Sequence, residues 1–168
     1  MIRPCTASDV PDIDIIINDA ARAYQGVIPS DRWHEPYMGL EELKDEIAAG
    51  VAFWGYEEDR RLVGVMGMQP VQDVTLIRHA YVRTNQRNRG IGGKLLNHLL
   101  DRIEGKILVG TWQAAEWAVR FYHKNGFQLV GTEEKNRLLS VYWHIPKRQV
   151  ETSVVLIYNR ARPLSAKA

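Results

Sequence analysis

Cysteine is all but missing: Cys5 is the only one in 168 residues. No intrachain disulfide can form, and a cysteine-rich zinc site is excluded. One thiol near the N-terminus also argues against a covalent thiol intermediate. Long hydrophobic runs are missing too. No apolar stretch approaches the length of a membrane span, and Met1-Ile2-Arg3-Pro4-Cys5 has no signal-type apolar region. The expectation is a cytoplasmic chain with no membrane partner. Charge of one sign is scarce: 22 basic residues face 20 acidic ones, a net +2, too little to predict a nucleic-acid partner. Among five histidines, His98, His123 and His144 have no ligand spacing to one another or to carboxylates, so no metal is expected. Repeats, linkers and low-complexity tracts are also lacking. What remains is an ordinary composition, 45% hydrophobic and 25% charged. It predicts one domain over 1–160 and a frayed tail over 161–168.

The pattern along the chain alternates. Ile2 to Cys5 reads as a strand, and Thr6 to Asp9 as a capping box before Pro11. Ile13, Ile16, Ile17, Ala20, Ala21 and Tyr24 then recur at helical spacing. Residues 27–39 are irregular and aromatic-rich, and a second helix spans about 41–49. Strands are expected near 51–57, 61–70 and 73–83. A strong helix follows over about 90–104, carrying Ile91, Leu95, Leu96, Leu99, Leu100 and Ile103. Next come a short strand at 106–111 and a helix at 113–125 closed by Gly126. Two last strands are expected, one from Phe127 through the 130s to Trp143, the other over Val150–Tyr158. This order implies a mixed sheet flanked by helices, with one parallel pair around the helix at 90–104.

Residues 80–96 read AYVRTNQRNRGIGGKLL. A strand ends, a basic turn follows, and a helix opens on Gly90-Ile91-Gly92-Gly93-Lys94. Glycines at a helix start let the backbone approach a ligand. The free N–H groups of the first turn, at the positive end of the helix dipole, suit an anion such as a pyrophosphate. Arg87, Arg89 and Lys94 add charge nearby. The plainer reading is a basic loop capping an ordinary helix. A Walker loop fails because Asn88 and Leu95 stand where glycine and Ser/Thr are needed. A dinucleotide fingerprint fails at Leu95.

These residues resemble the GNAT superfamily of N-acetyltransferases. Arg87-Asn88-Arg89-Gly90-Ile91-Gly92 matches the family's Gln/Arg-x-x-Gly-x-Gly/Ala motif. The stretch from Ala118 through Tyr122 to Gly126-Phe127 resembles its helix, tyrosine and "GF" turn. The resemblance covers about residues 2–158 and implies an α/β (α+β) fold. That fold is a mixed, mostly antiparallel central sheet of about seven strands with one splayed parallel pair, flanked by about four helices. It implies acetyl-CoA as cosubstrate, its pyrophosphate cradled by the backbone of Asn88 to Gly93. Its pantetheine arm would pair with Ala80, Tyr81 and Val82, and Lys124 would reach a phosphate. The Ala80 N–H would face the thioester oxygen, and Tyr122 would protonate the leaving thiolate. The family's asparagine seven residues before the tyrosine is absent, since Ala115 stands there.

The base that deprotonates the acceptor amine is not evident. Leu76 and Arg78 occupy strand positions where several relatives carry a carboxylate or histidine. His79 is adjacent, but alternation turns it to the opposite face unless a bulge re-aims it. His34 and Glu35 lie in the aromatic loop expected to border the acceptor site; Glu116 and Glu151 are weaker candidates. Arg78 could bind an acidic group on the acceptor, and Trp33, Trp112, Tyr142 and Trp143 could line its pocket. For each, an ion pair or core packing is the plainer role. The leading expectation is transfer to an amine of a small molecule, amino-acid-like or antibiotic, or to an exposed protein amine. A homodimer is compatible with this. A non-catalytic acyl-CoA sensor and a nucleotide-binding module are the competing readings.

Overall fold

The computed structural model describes residues 1–158. The expected tail over 161–168 lies outside the described residues. The elements are β1 (Ile2–Pro4), α1 (Val10–Ala20), α2 (Leu40–Ala48), β2 (Ala52–Glu58), β3 (Arg61–Val71), β4 (Val74–Val82) and α3 (Ile91–Leu100). They continue with β5 (Lys106–Trp112), α4 (Glu116–Lys124), β6 (Phe127–Leu129), α5 (Thr132–Tyr142), α6 (Lys147–Glu151) and β7 (Ser153–Tyr158). Seven strands form one sheet in the order β1-β2-β3-β4-β5-β7-β6. Among the described residues only β4 and β5 run parallel; the other pairings are antiparallel.

Strand alternation, offset by the β-bulge at Val63 opposite Tyr56 and Glu57, assigns the helices to faces. Leu62 and Val65 of β3 pack under α1 and α2 with Ile13, Ile16, Ile17 and Leu43. Their neighbours Val63 and Met66 pack under α3 with Leu95, Leu96 and Leu99. On β4 and β5, Ile77, Ile107 and Val109 join the α3 side, together with Tyr122 and Phe127. Leu76 and Leu108 face Leu138 and Leu139 of α5. So α3 and α4 cover one face, and α1, α2 and α5 the other. The entry to α1 is fixed by the expected capping box: the Asp9 carboxylate accepts the Thr6 N–H at 2.7 Å and takes both Arg3 Nη atoms, at 2.8 and 2.9 Å.

The C-terminal third departs from the sequence expectation. The strand foreseen from Phe127 to Trp143 stops at Leu129, and Thr132–Tyr142 is a helix. Gly131 caps it, and Glu133 and Glu134 complement the dipole in its first turn. Leu138, Leu139 and Tyr142 supply one apolar helical face. With α6 this makes six helices among the described residues rather than about four. The irregular stretch 27–39 holds one 3₁₀ turn at Ser30–Arg32, and it is packed down through buried Ile28 and Met38.

Candidate active site

β4 and β5 pair only from Val74↔Lys106 to Ile77↔Val109, although both strands continue beyond that point. The fork opens a cleft of about 710 Å³, within the range of small-ligand sites. His79, Ala80, Tyr81 and Val82 line one wall and Val109, Gly110 and Thr111 the other. Gly90 to Gly93 close one end, and Ala118, Phe121 and Tyr122 bring α4 against it.

A β-bulge shapes the β4 wall. Gly67 pairs with Arg78 and Val65 with Tyr81, so His79 and Ala80 together stand opposite Met66. His79 takes a positive φ of 54°. Gly67 permits the close approach: a Cβ there would come within 2.9 Å of Val51 and 3.0 Å of the Arg78 carbonyl oxygen. The extra residue breaks simple alternation and brings the His79 ring to the cleft. The ring stacks near Phe53 and Tyr81, at centroid distances of 5.9 and 6.5 Å.

His79 is held by a residue that sequence reasoning missed. Its Nε2 hydrogen-bonds Glu46 Oε2 of α2, while Glu46 Oε1 accepts from Arg78 Nη2 at 2.9 Å. Arg78 also donates to Gln69 Oε1 at 3.1 Å. Burial pushes the Glu46 carboxyl up, but the hydrogen bond from His79 and the electrostatic pull of His79 and the Arg78 guanidinium outweigh it, leaving the group below its ordinary value. The signal was available: Leu43, Glu46 and Ile47 sit at i, i+3 and i+4, which puts a carboxylate on the apolar face of α2.

At the start of α3, Asn88 and Gly90 have φ of 63° and 76°. The first helical bond runs from Lys94 N–H to the Gly90 carbonyl at 3.0 Å. Helix geometry therefore leaves the N–H groups of Ile91, Gly92 and Gly93 without an intrahelical acceptor. A Cβ at Gly90 or Gly93 would meet nothing within 4 Å, so this end of the cleft has room for a ligand beside bare backbone. Arg87 and Lys124 line the cleft, and Arg87 is tethered to the Ala20 carbonyl at 3.1 Å. Arg89 and Lys94 do not line it. Arg89 pairs with Glu58 at 2.7 Å and bonds Gln86, and Lys94 sits 5.8 Å over the Tyr56 ring. The anion-binding potential here rests on backbone N–H groups more than on the expected cluster of cations.

Tyr122 is buried, edge-on to Phe121 and Phe127 at 5.1 and 5.4 Å. Burial, and secondarily Tyr24, push its phenol far above the ordinary value, so it stays protonated across neutral pH. Tyr24 and Trp117 also line the cleft and stack at 5.9 Å; the helical pattern alone marks Tyr24 only as a packing position. Ala115 is fully buried at the start of α4.

The remaining candidates lie elsewhere. Trp33 and Glu35 line a separate groove beside α1, with Asp14, Asn18 and Tyr37. His34 is exposed, with Nδ1 at 2.7 Å from the Pro36 carbonyl oxygen. Trp143 packs over Gly110 within the α5 cluster. The Trp112 Nε1–H donates to the Tyr37 hydroxyl at 2.8 Å. Tyr142 donates to Asp73 at 2.6 Å. Cys5 is half-buried, and burial pushes its thiol up to about 12, which leaves it a poor nucleophile.

The forked parallel pair, the glycine-rich helix start and the helix carrying Tyr122 are accompanied by a match in sequence. The family model described as the Acetyltransferase (GNAT) domain matches residues 18–141. The chain belongs to the GNAT acetyltransferase family. It is 33% identical over 123 residues to UPF0157 protein YqkA of Bacillus subtilis, a match covering 71% of this chain and 35% of that protein. The match thus spans only about a third of the Bacillus relative. Over 130 residues it is 23% identical to Escherichia coli YiaC, named a peptidyl-lysine N-acetyltransferase, covering 77% of this chain and 84% of the other. Among solved structures, the PaiA N-acetyltransferase of Thermoplasma acidophilum in complex with coenzyme A superposes with a TM-score of 0.70. That match has 17% identity and covers 95% of this chain and 98% of that one. It shows that this GNAT chain has the family's fold, a seven-stranded mixed sheet open at the β4–β5 fork.

Proposed function

We propose that this GNAT chain is an N-acetyltransferase that uses acetyl-CoA and passes the acetyl group directly to an amine in a ternary complex. The observation that carries this reading is that one cleft joins the open β4–β5 fork, the bare backbone of Ile91 to Gly93 and the buried Tyr122 phenol. Acetyl-CoA supplies an acyl group activated as a thioester. The residues around it divide the remaining work. Free N–H groups at the α3 start hold the pyrophosphate, and Lys124 and Arg87 add charge. Ala80 to Val82 offer a strand edge to the pantetheine amides. The bulge takes Ala80 out of the ladder with β3, and its N–H stabilises the developing oxyanion. Tyr122 gives its proton to the departing sulfur. His79 takes the proton from the attacking amine. Holding both reactants in one cleft supplies the proximity that direct transfer requires.

The acceptor is an amine of a small molecule or an exposed protein amine. The likeness to YiaC makes a lysine side chain one acceptor worth including. Arg78 is engaged by Glu46 and Gln69, which weakens the case for it as a carboxylate receptor.

Calorimetric titration with acetyl-CoA, followed by thiol-release assays over amino acids, polyamines, aminoglycosides and lysine peptides, tests the reading. Binding with thiol release on one amine class is expected. Binding without release on any amine would make the chain an acyl-CoA sensor, and absence of binding would overturn the proposal.

A further inference from the structure

We infer that Glu46 is a positioning residue that fixes the tautomer of His79, and that Arg78 fixes Glu46 in turn. The inference rests on the proposed reading in taking His79 as the base. The Glu46 carboxyl is held below its ordinary value by its partners, so at neutral pH it is a carboxylate and can only accept hydrogen bonds. Its bond to Nε2 therefore requires the proton of neutral His79 to sit on Nε2. Nδ1 is left with its lone pair. That nitrogen is free to accept the proton of the attacking amine as its N–C bond forms and the C–S bond breaks. The sulfur takes a proton from Tyr122, which leaves a phenolate there and an imidazolium at His79; passage of that one proton from His79 to Tyr122 through cleft water restores both groups, so charge and protons balance. The imidazolium formed keeps its Nε2–H on Glu46, which stabilises the positive charge.

The groups around His79 make this arrangement self-consistent. Glu46 comes from α2, Arg78 from its own strand, Phe53 from β2, and Tyr81 from beyond the bulge. Glu46 and Arg78 are the charged members of this set. Glu46 and His79 side chains are 19% and 12% exposed, so the pair is shielded without being sealed from the cleft. Phe53 and Tyr81 stack near the ring at 5.9 and 6.5 Å, and the tautomer is the freedom that Glu46 removes.

Glu46→Gln is nearly isosteric and makes a specific demand. Arg78 has only donors and needs an oxygen, so the oxygen of the introduced amide turns to Arg78 and its NH₂ to His79. Nε2 must then accept, and the proton moves to Nδ1, where it blocks base action. The test is ¹⁵N NMR of the histidine ring in ligand-free protein, with no substrate required. The wild type is expected to show the Nε2–H tautomer and E46Q the Nδ1–H tautomer. With acceptor, kcat of E46Q is expected to fall by roughly 100-fold or more, with acetyl-CoA affinity within about twofold of wild type, because Glu46 does not line the coenzyme end. Nδ1–H in the wild type, or the same tautomer in both proteins, would overturn the inference. So would an E46Q enzyme that switches tautomer yet turns over at the wild-type rate. If the wild type neither binds acetyl-CoA nor turns over, the proposed function fails, and the NMR result still decides whether Glu46 sets His79.

Discussion

At the scale of single residues, burial and partners decide what each titratable group can do. Tyr122 is buried against Phe121 and Phe127, which keeps its phenol protonated at working pH. Tyr122→Phe removes the proton donor but preserves the ring. Turnover should fall about 100-fold, with unchanged acetyl-CoA affinity by calorimetry and unchanged thermal unfolding; equal turnover would remove Tyr122 from the acid role. Asp9 shows the same logic applied to stability. The Arg3 hydrogen bonds come first, with support from Thr6, in lowering its carboxyl to about 2. A depressed carboxylate stabilises the fold above its unfolded value of about 4 and stops doing so as pH falls through about 2. Arg3 is 29% exposed, so solvent screens part of the effect. Asp9→Asn should cost about 1–2 kcal/mol at pH 7. The gap to wild type should close as pH drops from about 4 to about 2 in denaturant titrations. Tyr122 is legible in the sequence because Gly126-Phe127 frames it, whereas for Glu46 the sequence shows a carboxylate on an apolar helix face but not its partners. Its role depends on two residues more than thirty positions away, and no local pattern reports that pairing.

At the scale of elements, the helix start at residues 90–93 is the most legible feature, since its proposed role in holding a pyrophosphate depends on the absence of side chains. Gly93→Leu tests this cleanly. A Cβ there has open space, and leucine is a better helix former than glycine by roughly 0.5–1 kcal/mol. The variant should unfold at the same or a higher temperature, yet bind acetyl-CoA at least about tenfold more weakly by calorimetry, because the side chain enters the cleft. Unaltered affinity would remove the α3 start from coenzyme binding. The β4 bulge enters the sequence reading only as a condition on His79. Periodicity in the sequence gives the ladder, but the extra residue sits beside Gly67, where a side chain would crowd Val51 and the Arg78 carbonyl. α5 reads as strand only if a final hairpin is expected from Phe127. Gly131-Thr132-Glu133-Glu134 and the Leu138, Leu139, Tyr142 spacing carry a helix signal, and the structure follows that local signal.

At the scale of the whole molecule, the cleft lies between two halves of the sheet that are joined by only four β4–β5 residue pairs. A ligand that bridges Ala80–Val82, Gly110–Thr111 and the α3 start ties those halves together and binds only the folded state. Acetyl-CoA at about 100 times its Kd should therefore add about 2.7 kcal/mol, seen as a concentration-dependent rise in the unfolding temperature. ATP at the same concentration should give a smaller rise, and an equal one would favour a general nucleotide site. By itself, the sequence determined the family-type mixed sheet, the glycine-rich start of α3 and the place of Tyr122 on the helix before Gly126-Phe127, because backbone conformation, helix ends and hydrophobic period are written over a few consecutive residues. Only the tertiary structure decided the pairing of His79 with Glu46 and Arg78, the diversion of Arg89 and Lys94 to Glu58 and Tyr56, and the placing of Trp33 and Glu35 in a separate groove. Those outcomes depend on which distant side chain arrives within hydrogen-bond reach, and that is fixed by packing across the sheet rather than by neighbours in the chain.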